Sequence, residues 1–158
     1  MTRSLERALV GAWRLQRWEI LQPDGSRREP FGPDPRGLLL YTADGWMSAT
    51  IMAAHRRPLS HRNPRLAPEA ERAAALDGYF SYGGRWRVAD GAVHHEVTVA
   101  LNPAMIGTLQ VREVRLGATT LTLAATERID ADLRRHRITW RRPPRPRTTR
   151  RTPERHPR

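Results

Sequence analysis

GGRWRVADGAVHHEVTVAL, residues 83–101, is the stretch whose reading decides the fold. It contains two short alternating segments separated by Asp90-Gly91. That dipeptide favours a two-residue hairpin turn, because both of its positions tolerate positive φ. With that turn, Ala89 faces Ala92, Val88 faces Val93, Trp86 faces His95 and Gly84 faces Val97. Side chains alternate along a strand, so Trp86, Val88, Val93, Val97, Val99 and Leu101 form an apolar face. Arg85, Arg87, His94, Glu96 and Thr98 form the polar one. The same alternation sets His95 among the apolar residues and His94 in solvent. An inward titratable group requires a partner or a purpose.

Working outward, the chain reads as a succession of such hairpins. Residues 9–22 form a first strand whose parity breaks near Arg17, where a bulge would fit. Residues 37–42 and 46–53 pair around Asp44-Gly45, which sets Leu40 against Ala49 and Leu38 against Ile51. Residues 67–82 read as a helix, with Pro68 in its first turn, Glu69 and Glu71 at its positive end and Gly83-Gly84 as its stop. Residues 107–116 and 119–127 pair around Gly117-Ala118, with Val114 opposite Leu121, Arg112 opposite Leu123 and Gln110 opposite Ala125. A last strand, 136–142, puts Ile138 and Trp140 on one side. About eight strands in hairpin order with one short helix predict an all-β protein, an antiparallel up-and-down barrel with the helix packed at the barrel. A barrel of that size is filled by side chains or holds one small ligand.

Composition narrows the chemistry. The 158 residues suit one domain, expected over 1–142. There is no cysteine, so no disulfide or thiolate site is available. The net charge of +12 is uneven, because eight of the 28 basic residues and a single glutamate fall in 141–158. Residues 143–158 are therefore expected to be a disordered, Pro/Arg-rich tail. The tail has no aromatic residue to stack on bases, so it reads as a solvated extension and nucleic acid is not an expected partner. No apolar run suggests a signal peptide or membrane span, and a cytoplasmic location without membrane association is expected. The histidines lack metal-ligand spacing, no serine has a nucleophile-elbow context and no glycine-rich phosphate loop precedes a helix. No metal and no cofactor is expected.

Several segments together resemble the bacterial lipocalin-like domain family: GAWRL (11–15), PFGPDPRGLLLYTADGWMSA (30–49), GYFSYGGRW (78–86), VHHEVTVALNP (93–103) and GTLQVR (107–112). The resemblance covers nearly all of residues 5–142. It implies a small barrel with an internal cavity, with Trp13 plugging one end beneath Arg141 or Arg142. It also implies either binding of apolar small molecules or cyclase and isomerase chemistry in bacterial biosynthesis. The chain departs from the family pattern at Ala104-Met105, where relatives carry a tryptophan, and at Arg17, where they carry a small residue. Both departures fall where a cavity would be lined, which implies a ligand different from that of relatives.

The inward polar set is His95, Gln110 and Arg112, extended by Arg17, Glu19 and Thr108. Arg112 and Gln110 suit a carbonyl, enolate or carboxylate, and His95 suits a general acid or base near neutral pH. Trp18, Trp86, Tyr79, Tyr82 and Met105 would shape the apolar wall. The alternative is a filled core in which Arg112 pairs with an acid such as Glu19. The expectation is a cofactor-independent cyclase or isomerase acting on an apolar, carbonyl-bearing intermediate of secondary metabolism, with catalytic His95, Arg112 and Gln110. The alternative is a non-catalytic carrier or sensor with the same pocket. The oligomeric state stays open.

Overall fold

The computed structural model describes residues 2–129 and 132–144. In chain order the elements are α1 (Thr2–Leu9), β1 (Gly11–Leu21), β2 (Arg27–Arg28), β3 (Arg36–Tyr41), β4 (Trp46–Met52), α2 (Glu69–Asp77), β5 (Tyr79–Ala89), β6 (Ala92–Ala100), β7 (Leu109–Leu116), β8 (Thr120–Ile129) and β9 (Asp132–Arg141). Neighbours in sequence pair antiparallel from β3 to β9, and β1 pairs with both β3 and β9. That last pairing closes an eight-stranded barrel, with β2 as a short flap on the far end of β1. Closure leaves few backbone groups on a free edge. The helix at α1 was not foreseen. No helix among the described residues is long and apolar enough to cross a membrane. The proposed tail falls almost wholly on 145–158, outside the described residues.

The hairpin of β5 and β6 has the expected turn and register. Asp90 and Gly91 both take positive φ, 51° and 75°, and Trp86 lies opposite His95. The expected face fails further along. Gly84 pairs with Val97 but Gly83 pairs with Val99, so Thr98 is an extra residue that forms a bulge. The bulge flips the parity beyond it. Val99 and Leu101 are therefore exposed, not inward as expected.

Two other registers differ from expectation, with unequal consequences. Between β3 and β4 the loop is three residues, Ala43–Gly45, closed by mutual bonds of Thr42 and Trp46. The pairing is accordingly Leu39 with Ala49 and Gly37 with Ile51, a slip of one residue. A slip of one exchanges faces. Leu39 and Tyr41 are buried, while Leu38 and Leu40 are exposed. Between β7 and β8 the turn is Ala118-Thr119, so Val114 pairs with Leu123 and Leu116 with Leu121. That slip is two residues, and every face is retained.

The expected helix over 67–82 is cut to Glu69–Asp77, and Tyr79, Phe80 and Tyr82 open β5 instead. Gly78 caps the helix, its N–H bonded to the Ala74 carbonyl. The aromatic residues that follow gain more from a half-buried pleated surface than from another helical turn.

The core fills one end of the barrel. Trp13 is fully buried, its indole N–H donates to the Leu9 carbonyl at 2.8 Å, and the Arg142 guanidinium lies 4.2 Å from its ring centre. Arg142 also donates to the Val10 carbonyl at 3.1 Å and to the Ala8 carbonyl. Of the two arginines considered for this place, Arg142 occupies it. The α1 helix covers the same end, where the Glu6 carboxylate accepts from the Val88 N–H.

Candidate functional site

The opposite part of the barrel is hollow. A cavity of about 660 Å³ runs inward from a mouth where exposed Asn102 and Glu127 line it. Its wall is largely apolar, with Leu39, Ile51, Phe80, Leu123, Ile138 and Trp140 among its members. At the mouth the Trp18 ring packs against Phe31 and Phe80, with ring centres 5.2 Å and 5.3 Å away.

The polar wall comes from β7. Gln110 lies opposite His95 and Arg112 opposite Val93, so both point inward. Arg112 lines the cavity and donates through Nη2 to Gln110 Oε1 at 3.0 Å. Gln110 in turn donates from Nε2 to Thr108 Oγ1 at 2.9 Å, and Thr108 donates to the Met105 carbonyl at 2.7 Å. Thr108 and Gln110 thus hold Arg112 in place. No carboxylate lies within ion-pair distance of Arg112 among the described residues.

Behind this wall is a sealed cluster. His95 is fully buried, with Nε2 at 2.8 Å from the Tyr41 hydroxyl and Nδ1 at 2.8 Å from the Tyr82 hydroxyl. Tyr82 and Arg112 both line the cavity. Burial, assisted by the positive charge of Arg112 and by His94, lowers the His95 pKa to about 3. His95 is therefore neutral near pH 7 and has no face on the cavity. Contrary to expectation, His95 touches the two phenols and not the cavity. Burial raises both phenols above their ordinary pKa, with the nearby Tyr82 adding to the effect on Tyr41 and Arg112 opposing it on each.

The remaining sequence candidates divide. Trp18 and Met105 line the cavity. Trp86 is buried below it, its ring 4.5 Å from that of Tyr41 and its N–H on the Thr42 carbonyl at 3.0 Å. Tyr79 points outward, with the Arg56 guanidinium 5.1 Å over its ring. The inward placement expected of Arg17 and Glu19 is corrected by a bulge between Leu15 and Arg17. Past that bulge Trp18 and Ile20 turn inward. Glu19 is buried on the outer face, 2.8 Å from Arg137 and also paired with Arg27 and Arg17. Burial opposes its ionisation, but those arginines outweigh burial and hold its pKa below the ordinary value. The alternative pairing of Glu19 with Arg112 does not occur.

Two site residues were missed. Tyr41 lies on the face opposite Leu38 and Leu40, and the one-residue slip turns that face inward. His136 shares the parity of Ile138 and Trp140, which could have placed it. Its Nδ1 accepts from the Trp18 indole N–H at 3.2 Å, and an indole can only donate. The imidazole proton therefore sits on Nε2 and is donated to Glu127 at 3.0 Å. Burial lowers the His136 pKa against the pull of Glu127, with Arg112 and Arg134 adding to the lowering.

A family described as a lipocalin-like domain matches residues 10–143, the whole run from just before the Trp13 strand to just beyond Arg142. No curated protein matches the chain.

Proposed function

Given that this chain belongs to the lipocalin-like domain family, we propose that its barrel binds one largely apolar small molecule through a carbonyl or carboxylate oxygen held by Arg112. The observation that carries this reading is the Arg112 guanidinium. It faces an apolar cavity of about 660 Å³ and has no carboxylate partner among the described residues. A half-buried guanidinium without a carboxylate partner leaves donors for a ligand oxygen. A cavity of that size, mostly apolar with a few convergent polar groups, suits a small-molecule ligand.

On this reading the chemistry is cofactor-independent cyclisation or isomerisation of a carbonyl-bearing intermediate of secondary metabolism. The apolar wall would hold a reactive conformer, and Arg112, kept in place by Gln110, would stabilise charge developing on the oxygen. A carrier role is the second reading. It is favoured by the bonding of the two imidazoles, since His95 is sealed behind Tyr82 and both nitrogens of His136 are engaged.

The test is titration of the full chain into an apolar ketone dye, 6-acetyl-2-dimethylaminonaphthalene, whose emission reports the polarity around its carbonyl. A blue shift is expected on binding, with Arg112→Ala weakening affinity about tenfold, the worth of one charge-assisted hydrogen bond. Emission that stays water-like with the unaltered protein refutes the pocket. Unchanged affinity in Arg112→Ala removes Arg112 from the site.

A further inference from the structure

The polar cluster behind the cavity has a determinable proton inventory. Tyr41 is 2 % exposed, and its hydroxyl has one partner among the described residues, His95 Nε2. A buried hydroxyl donor left unpaired is costly, so the Tyr41 proton belongs on that bond. His95 Nε2 is then an acceptor. A neutral imidazole has one donor and one acceptor nitrogen, so Nδ1 carries the ring proton and donates to the Tyr82 oxygen. Tyr82 thus accepts from His95, and its own proton has no acceptor among the described residues. Tyr82 lines the cavity.

We infer that the Tyr82 hydroxyl is the ligand-facing proton donor of the cavity, aligned by a one-way Tyr41 to His95 to Tyr82 hydrogen-bond chain that leaves its own proton free for the ligand. The inference rests on the pocket reading above and specifies the ligand oxygen. Tyr82 and Arg112 both offer donors, so the atom between them is an acceptor: a carbonyl, an enolate or a phenolate. Tyr41 and His95 are positioning residues that never touch it. The reverse direction would leave the Tyr41 proton buried without a partner and would spend the Tyr82 proton on His95. The cavity would then lose that donor.

Two measurements on the full chain test this. Long-range ¹H–¹⁵N correlation spectra of the unaltered protein report the His95 tautomer without any ligand or variant. A proton on Nδ1 is expected, and a proton on Nε2 overturns the inference. The second uses 7-hydroxycoumarin, an apolar phenol whose absorbance distinguishes phenol from phenolate. The ratio of phenolate to phenol in the bound dye is expected to rise over that of the free dye. Tyr82→Phe should reduce this ratio about tenfold, the scale of one hydrogen bond to a charged acceptor. Tyr41→Phe should reduce it by less, because the donor that holds His95 in its Nδ1–H form is then gone. A Tyr82→Phe protein that keeps the ratio overturns the donor, and a Tyr41→Phe protein that keeps it overturns the chain. If the dye does not bind at all, the pocket reading fails, and the tautomer still decides the direction of the chain.

Discussion

The imidazole of His95 is fully buried with both nitrogens bonded, and its pKa falls from 6.5 to about 3. Below pH 6.5 the unfolded chain takes up a proton that the folded chain refuses until about pH 3. The unfolded state binds more protons in that window, so stability is full above it and falls as the pH drops, by up to about 1.4 kcal/mol per unit. Denaturant melts between pH 7 and pH 4.5 should show this slope, and His95→Gln should flatten it. A slope unchanged in that variant would assign the effect elsewhere, first to His136, whose pKa is also lowered. Glu19 acts at lower pH, since a carboxylate with a lowered pKa gives up its contribution only as the pH falls through that value. At this scale the inward directions of His95, Gln110 and Arg112 were legible from alternation within two hairpins. The partners of His95 are only half legible in the sequence, because Tyr41 is three strand pairings away and its face hangs on the length of one loop.

The elements carry information in their turns and bulges. Gly84 stands opposite Val97 at the β5–β6 bulge, and a Cβ built there would lie 1.9 Å from the Glu96 carbonyl oxygen. No side chain fits without moving the backbone of β6. Gly84→Ala should therefore cost about 1–3 kcal/mol, the range for overpacking, as a lower urea midpoint with the slope unchanged. Full retention of stability would mean that the bulge is not required. The registers show why some faces were readable and others not. The two-residue slip at β7–β8 left Arg112 and Gln110 where alternation placed them. The one-residue slip at β3–β4 exchanged Leu38 and Leu40 for Leu39 and Tyr41. The opposite faces of β3 are almost equally apolar in sequence, so composition could not arbitrate. Nor could the loop, because a three-residue loop ending in Gly45 at φ 88° is as compatible with TADG as a two-residue turn.

The whole molecule is a barrel closed at one end and hollow toward the other. Closure is concentrated at Trp13, where Arg142 covers the ring and donates to carbonyls beyond it. Arg142→Ala should lower stability by about 2–3 kcal/mol, combining charge-assisted hydrogen bonds with a cation–π contact, while dye binding in the cavity persists. Loss of dye binding at unchanged stability would contradict the separation of plug and cavity. The strand count, the hairpin order and the local faces of β5, β6 and β7 could be read from residue alternation and turn chemistry, since both act between near neighbours. The closing pair of β1 and β9, the parity past each bulge and the cluster of Tyr41, Tyr82, His95 and Arg112 were decided only by the tertiary structure. The physical reason is that this cluster takes one side chain from each of β3, β5, β6 and β7. Its geometry depends on every intervening register, and a single extra loop residue turns a member from the interior to the solvent.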